Sequence, residues 1–232
     1  MCKINLSQKI VDVSDRLITP SFQFIFCYFI FFVKISDISV IFENFKCKEI
    51  TMVNKVAWIT GAGSGIGEAS AIKLSEEGFV VVLSGRTKQA LDAVASKCKG
   101  QASVKPLDVS NSEDVKGVFE NIISDYGRID VLVASAGLNA KNRNWHNVSD
   151  EDFDQIIKID LNGVFYTNRL ALEKMKEQRE GLIINISSWA GKYVTTLTGP
   201  AYTAAKHGVN ALTEGINMEA GHFGVRACAI CP

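Results

Sequence analysis

Tyr202 and Lys206 stand four residues apart in the segment Ala201-Tyr-Thr-Ala-Ala-Lys-His207, and on a helix both side chains project from one face and flank the same ligand. That pairing carries a specific chemistry. A phenol with an ordinary pKa near 10 is a poor proton donor or acceptor at neutral pH, and a close ammonium stabilises its phenolate. Lowering the pKa by about three units takes roughly 4 kcal/mol, and a well-matched proton transfer contributes about 10² to 10⁴ in rate. Upstream, Asn185-Ile-Ser-Ser-Trp-Ala-Gly191 brings two hydroxyls, and Ser188 lies 14 residues before Tyr202. A Tyr-x-x-x-Lys pair also arises by chance on amphipathic helices, so its meaning rests on its surroundings.

A second chemical feature lies near the start of the glycine-containing part of the chain, in Thr60-Gly-Ala-Gly-Ser-Gly-Ile-Gly67. It follows a strand-like run and leads into a helix-like one. Glycines there let the backbone turn tightly and approach a pyrophosphate, while the helix N-terminus offers unpaired N–H groups and a partial positive charge. The spacing is not G-x-G-x-x-G, since no three glycines of the loop fall at i, i+2 and i+5.

The elements that must hold these groups alternate from residue 55 onward. Strand-like runs cover 55–60, 79–84, 102–107, 130–135, 182–187 and 225–231. Helical spacing occupies 65–77, 88–97, 112–126, 150–177 and 201–220. Ser110-x-x-Glu113 reads as a capping box for the third helix. Six strands joined by helical crossovers predict an α/β fold, a Rossmann-like doubly wound parallel sheet with helices on both faces.

The glycine loop resembles the T-G-x-x-x-G-x-G signature of the short-chain dehydrogenase/reductase family, with Thr60, Gly61, Gly65 and Gly67 in the defining places. Leu107-Asp-Val109 resembles the family's adenine-contacting aspartate, Ala136-Gly137 the end of its N-N-A-G motif, and Tyr202-x-x-x-Lys206 its catalytic pair. The resemblance runs from 55 to 232. It implies an oxidoreductase that moves a hydride between a nicotinamide cofactor and a small-molecule alcohol or carbonyl. Tyr202 would be general acid/base, Lys206 would tune it and hold the nicotinamide ribose, and Ser188 would hydrogen-bond the substrate oxygen. Cofactor contacts are expected from Gly61, Ser64, Gly65, Ile66, Gly67, Arg86, Asp108, Val109, Ala136 and Gly137, with Tyr202 and Lys206. Gly85 stands where relatives that prefer NAD carry aspartate, and Arg86 follows with a planar fork suited to phosphate, so NADP is expected in preference to NAD.

This chain departs from the family pattern in three places. Asp160 replaces the asparagine that completes the family's catalytic set; it can accept a hydrogen bond in a proton relay, yet its charge opposes phenolate formation. Ala134 and Ser135 replace the two asparagines of N-N-A-G, and Ala134 offers no side-chain hydrogen bond. The family usually continues beyond Cys231-Pro232 with a substrate-covering helix and a last strand, so truncation at the C-terminus is expected. A non-catalytic dinucleotide-binding regulator is the alternative reading that Asp160 and this ending invite.

Composition bounds the rest. The 25 basic and 25 acidic residues balance, which argues against a nucleic-acid partner. All 18 glycines fall at or after Gly61, whereas eight of the 13 phenylalanines lie in the first 51 residues, which sets off residues 1–51 as an atypical apolar leader from a domain at 52–232. The apolar run 22–33 is too short to span a bilayer, so the leader reads first as an artefactual extension upstream of a start at Met52, and otherwise as a membrane-associating leader or a strand-like, aggregation-prone extension. Six scattered cysteines fit a reducing cytoplasm. Cys228 and Cys231, three apart on a strand, send their sulfurs to opposite faces, and His146, His207 and His222 have no metal spacing, so no metal is expected. Trp189, Tyr193 and Thr195 are candidates for an apolar substrate pocket. Lys141, Asn142, Arg143 and Asn144 read as a solvated loop. Relatives commonly pair through the fourth and fifth helices, so a homo-oligomer is expected.

Overall fold

A computed structural model describes residues 55–232; the leader and Met52 lie outside the described residues. Strand β1 (Val56–Thr60), β2 (Val80–Ser84) and β4 (Val131–Ala134) are buried along their whole lengths, as continuous apolar runs must be when helices cover both faces of a parallel sheet. With β3 (Ala102–Val104), β5 (Gly181–Ile186) and β6 (Val225–Ile230) they make one six-stranded sheet in the order β3-β2-β1-β4-β5-β6, every pairing parallel. The order reverses beside β1. Successive right-handed crossovers therefore lie on opposite faces on either side of it, and a crevice opens at the carboxyl ends of β1 and β4.

Helix α1 (Gly65–Glu76) carries the chain from β1 to β2 and α2 (Lys88–Ala95) from β2 to β3. On the other face, α3 (Ser112–Tyr126), α5 (Gly163–Gln178) and α6 (Pro200–Ala220) enclose a core in which Trp58, Val82, Leu132 and Ile183 meet Ile122, Met175 and Ile216. Trp58 is fully buried at the centre of β1 and its indole N–H donates to Ser84 Oγ at 3.1 Å, which satisfies the one polar atom that its burial would otherwise strand.

Three local details differ from the sequence expectations. The cap of α3 is Asn111, whose Oδ1 accepts from the Glu113 and Asp114 N–H groups, while Ser110 donates its hydroxyl to Asp108 instead of forming a capping box. An asparagine one position nearer the helix outcompetes the serine because its carbonyl reaches two orphan N–H groups. The helix expected over 150–177 is interrupted: α4 (Asp150–Ile156) passes into a π turn (Ile157–Asn162) before α5 begins. Gly163 marks the junction, where a Cβ would sit 2.9 Å from the Val109 side chain, so only glycine lets the helix pass the loop after β3. Strand β3 is half the expected length, its register with β2 ending at Val104, although the Lys105 and Leu107 N–H groups still donate to the Leu83 and Gly85 carbonyls.

Side-chain amides close the remaining backbone groups. Gln178 exchanges two hydrogen bonds with Ile129, and Asn217 on α6 does the same with Ala227 on β6, at 2.7 and 2.8 Å. No helix among the described residues is long and apolar enough to cross a membrane. Trp58→Ala is expected to cost about 3–5 kcal/mol, since it opens a large cavity and leaves Ser84 without its donor; urea unfolding measures it, and a loss under about 1 kcal/mol would contradict this account of the core.

Candidate active site

The glycine loop takes its shape from contacts that exclude a side chain. Gly61 has φ +62° and a Cβ there would lie 2.7 Å from the Ala136 backbone N, while a Cβ at Gly67 would run into the Gly61 carbonyl. The loop thus folds back on its own helix and against the end of β4. Thr60 fastens it there: its hydroxyl oxygen accepts from the Ser135 N–H at 3.2 Å and the Ala136 N–H at 3.4 Å. This threonine bridges β1 to β4 although Ala134 has no polar side chain.

Above the loop lies a cleft of about 520 Å³. Of the residues expected at a cofactor, Gly61, Ser64, Gly65, Ile66, Arg86, Asp108, Val109, Ala136 and Gly137 line it. Gly67 does not, being buried beneath the loop as packing, and Tyr202 and Lys206 lie beyond its lining. Gly63, Thr87, Leu138 and Ile159 line it without having been expected. Gly63 and Thr87 were accessible to reasoning because they flank expected positions, but Ile159 comes from the π turn, which the sequence pattern did not announce. The fit to a dinucleotide is good: Gly65 has φ +58° with open space about it, α1 presents its N-terminus, and the Ser64 side chain is not spent on capping that helix.

Past the Ile186 end of the cleft stands the Tyr-Lys pair. Ser188 begins a short 3₁₀ turn (Trp189–Gly191), where its Oγ accepts from the Ala190 N–H, and it lies near enough to Tyr202 to influence that phenol's ionisation. The two serines differ in role. Ser187 is buried and donates its hydroxyl to the Lys206 carbonyl at 3.1 Å, tying β5 to α6. Lys206 is only 3% exposed; its ammonium donates to the Ile186 carbonyl at 3.0 Å and lies 5.4 Å from the centroid of the Tyr202 ring.

Asp160, on the π turn, is 0% exposed. Its Oδ2 faces Lys206 Nζ at 3.2 Å and its Oδ1 accepts from the Leu138 N–H at 2.8 Å. Burial raises the Asp160 carboxyl above the usual carboxylate value, against the opposing pull of the Lys206 ammonium and the Leu138 N–H. Tyr202 is likewise pushed up, first by burial and further by the Asp160 charge, with the Ser188 hydrogen bond working the other way. This is opposite to the direction expected from Lys206 alone: burial of the phenol is the first cause, and the Asp160 carboxylate adds to it.

Trp189 and Tyr193 form a tilted ring pair 5.1 Å apart, and with Leu197 they leave apolar surface exposed beside Ser188. The segment 141–144 is exposed, except that its Arg143 backbone packs against Gly199, the residue before α6.

Residues 55–232 match the family model described as short chain dehydrogenase. An uncharacterized oxidoreductase of Staphylococcus aureus is 39% identical over 183 residues, covering 78% of each chain. A 3beta-hydroxysteroid dehydrogenase of Mediterraneibacter gnavus is 35% identical over 77% of this chain and 65% of its own length. Among solved structures, a metagenomic short-chain oxidoreductase in complex with NADP superposes with a TM-score of 0.73 at 34% identity, covering 77% of this chain and 81% of that one. Levodione reductase does so with 0.73 at 32%, covering 77% and 70%. The chain belongs to the short-chain dehydrogenase family and is an oxidoreductase of that kind, built to use a nicotinamide dinucleotide.

Gly67→Ala tests the loop. Its Cβ meets backbone, which cannot yield cheaply, so NADPH binding followed by fluorescence is expected to weaken by about tenfold or more. Gly117→Ala, on α3 with open space around it, is the control and is expected to bind normally.

Proposed function

We propose that the protein interconverts a secondary alcohol and its carbonyl compound using NADP(H), with Tyr202 as general acid/base. The observation that carries this reading is Tyr202 set between Lys206, whose ammonium lies 5.4 Å from its ring centroid, and the neighbouring Ser188, just past the end of the dinucleotide cleft. A bound nicotinamide supplies or accepts the hydride. Ser188 and Tyr202 offer two hydroxyls to one substrate oxygen; Ser188 stabilises the charge that develops there and Tyr202 moves the proton. Lys206, anchored by the Ile186 carbonyl, is suited to hold the nicotinamide ribose. Asp160 positions Lys206.

The exposed Trp189, Tyr193 and Leu197 support a substrate with an apolar body, as do the names of two relatives, a hydroxysteroid dehydrogenase and levodione reductase. Assembly into a homo-oligomer through α5 and α6 is part of the same proposal, Phe165 and Met218 being exposed on those helices.

Preference for NADP rests on the end of β2. Arg86 lines the cleft beside Ser64, Gly85 and Thr87, and its guanidinium makes no hydrogen bond or ion pair among the described residues. Gly85 brings no carboxylate to repel a 2′-phosphate. Asp108, the one acidic residue lining the cleft among those described, is engaged by the Ser110 N–H and hydroxyl.

Two experiments bear on this reading. Tyr202→Phe is expected to lower turnover by about 10²-fold or more while cofactor affinity stays nearly unchanged, because only the proton-transferring hydroxyl is removed; a variant keeping more than about a tenth of the activity would refute the assignment. For the cofactor, kcat/KM is compared with NADPH and NADH in the wild type and in Arg86→Ala. The wild type is expected to favour NADPH, and the substitution to remove most of that advantage. An NADPH advantage that survives would acquit Arg86, and a wild-type preference for NADH would overturn the proposal.

A further inference from the structure

Asp160 sits where its family carries a neutral asparagine, and its surroundings show what the added charge does. It approaches Lys206 Nζ to 3.2 Å, both residues being almost wholly buried, with exposures of 0% and 3%. Gly137 makes room for the pair: a Cβ there would stand 3.0 Å from Asp160 Oδ2 and 3.4 Å from Lys206 Nζ. Asp160 is held from its other side by the Leu138 N–H. We propose that Asp160, by compensating the Lys206 ammonium, keeps Tyr202 in its protonated form well past neutral pH and so poises the site as a proton donor, the state that carbonyl reduction uses. The proposal rests on the reading of Tyr202 as the proton-transferring group.

The chemical consequence is directional. Reduction of a carbonyl adds a hydride to carbon and takes the Tyr202 Oη proton onto oxygen, after which the phenolate regains a proton from water. Oxidation of the alcohol runs the reverse and needs the phenolate first. A phenol held neutral therefore serves reduction over the whole neutral range, whereas oxidation gains its base only as the pH rises. The influence of Lys206 on the ring is that of half an ion pair, since a carboxylate lies closer to the ammonium than the ring does.

No other described charge competes in that space. On α6, the groups facing Asp160 are Tyr202 and Lys206, while His207 turns its Nδ1 to the Thr203 carbonyl. On α4, Asp150, Glu151 and Asp154 are exposed and Asp152 is half-buried at the helix start. Lys158 on the π turn and Arg169 on α5 are exposed, and Tyr166 packs against the core under α5. The loop after β4 presents only Gly137 and the Leu138 N–H to the carboxylate.

The test reads the phenol directly, in the full chain without added cofactor or substrate. Near-ultraviolet absorbance of phenolate is followed against pH, and the Tyr202→Phe curve is subtracted to leave the Tyr202 titration. In the wild type this residue is expected to ionise only above the ordinary tyrosine value of about 10, or not before the fold is lost. In Asp160→Asn, which keeps the shape and the Leu138 contact, its ionisation is expected about one pH unit lower. A wild-type Tyr202 that ionises below about 10 overturns the proposal, and that arm decides the matter if the variant does not fold. An Asp160→Asn titration that is unchanged, or moves upward, overturns it as well. Failure here leaves the general-acid reading intact if Tyr202→Phe still abolishes turnover, whereas a fully active Tyr202→Phe sinks that reading whatever the titration gives.

Discussion

Two opposite charges meet in the dry interior of this protein, and neither is tolerable there alone. An unpaired buried ammonium or carboxylate is strongly disfavoured, and removing one partner of such a pair typically costs about 3–5 kcal/mol. Asp160 and Lys206 come from different elements, the π turn and α6, so their pairing ties the turn to the helix. Several residues of the site follow from that one constraint. Gly137 must be small to admit the pair, the Ile186 carbonyl takes a further proton of the ammonium, and Ser187 ties the α6 backbone at Lys206 to the end of β5. Tyr202, one turn before Lys206, is thereby held with its ring beside the ammonium.

The dinucleotide cleft is organised by a separate device at the place where the strand order reverses. There β1 and β4 run side by side with their next connections departing to opposite faces. The gap between them is closed by a hydroxyl instead of an asparagine pair: Thr60 receives two N–H groups from the segment after β4. The glycine loop can then lie flat on that segment because Gly61 brings no side chain into the contact, while Gly67 lets the loop fold back on its own helix. Cleft and proton-transfer residues share the 135–138 segment, one side of which lines the cleft while the Leu138 N–H holds Asp160.

Much of this was legible in the residues alone. Buried parallel strands announce themselves as apolar runs, and Val80-Val-Val-Leu83 or Val131-Leu-Val133 leave little choice. The glycine loop and the Tyr202–Lys206 spacing were equally plain, since each depends on local geometry. What escaped were outcomes of competition between neighbours. Ser110 had the spacing of a cap, but Asn111 was better placed and Asp108 offered the serine hydroxyl another partner. The π turn left no periodic trace in 150–177, because its cause is tertiary: Gly163 meeting Val109 and Asp160 meeting Lys206. The sign of the Asp160 effect on Tyr202 was legible, but the burial that dominates the shift was not, as it depends on packing between elements far apart in sequence.

The clamp of Asn217 on Ala227 has a consequence for what β6 can pair with. In a parallel strand the N–H and C=O of one residue point to the same side, and alternate residues point to opposite sides. Ile230 turns toward β5, where its carbonyl accepts from the Ser187 N–H, so Ala227 turns outward along the rim of the sheet. Among the described residues β6 is the outermost strand, and a donor and acceptor left open on that side would pair with any strand brought beside it. Asn217 already occupies both, with a side-chain amide that copies a peptide group but cannot extend into a ladder.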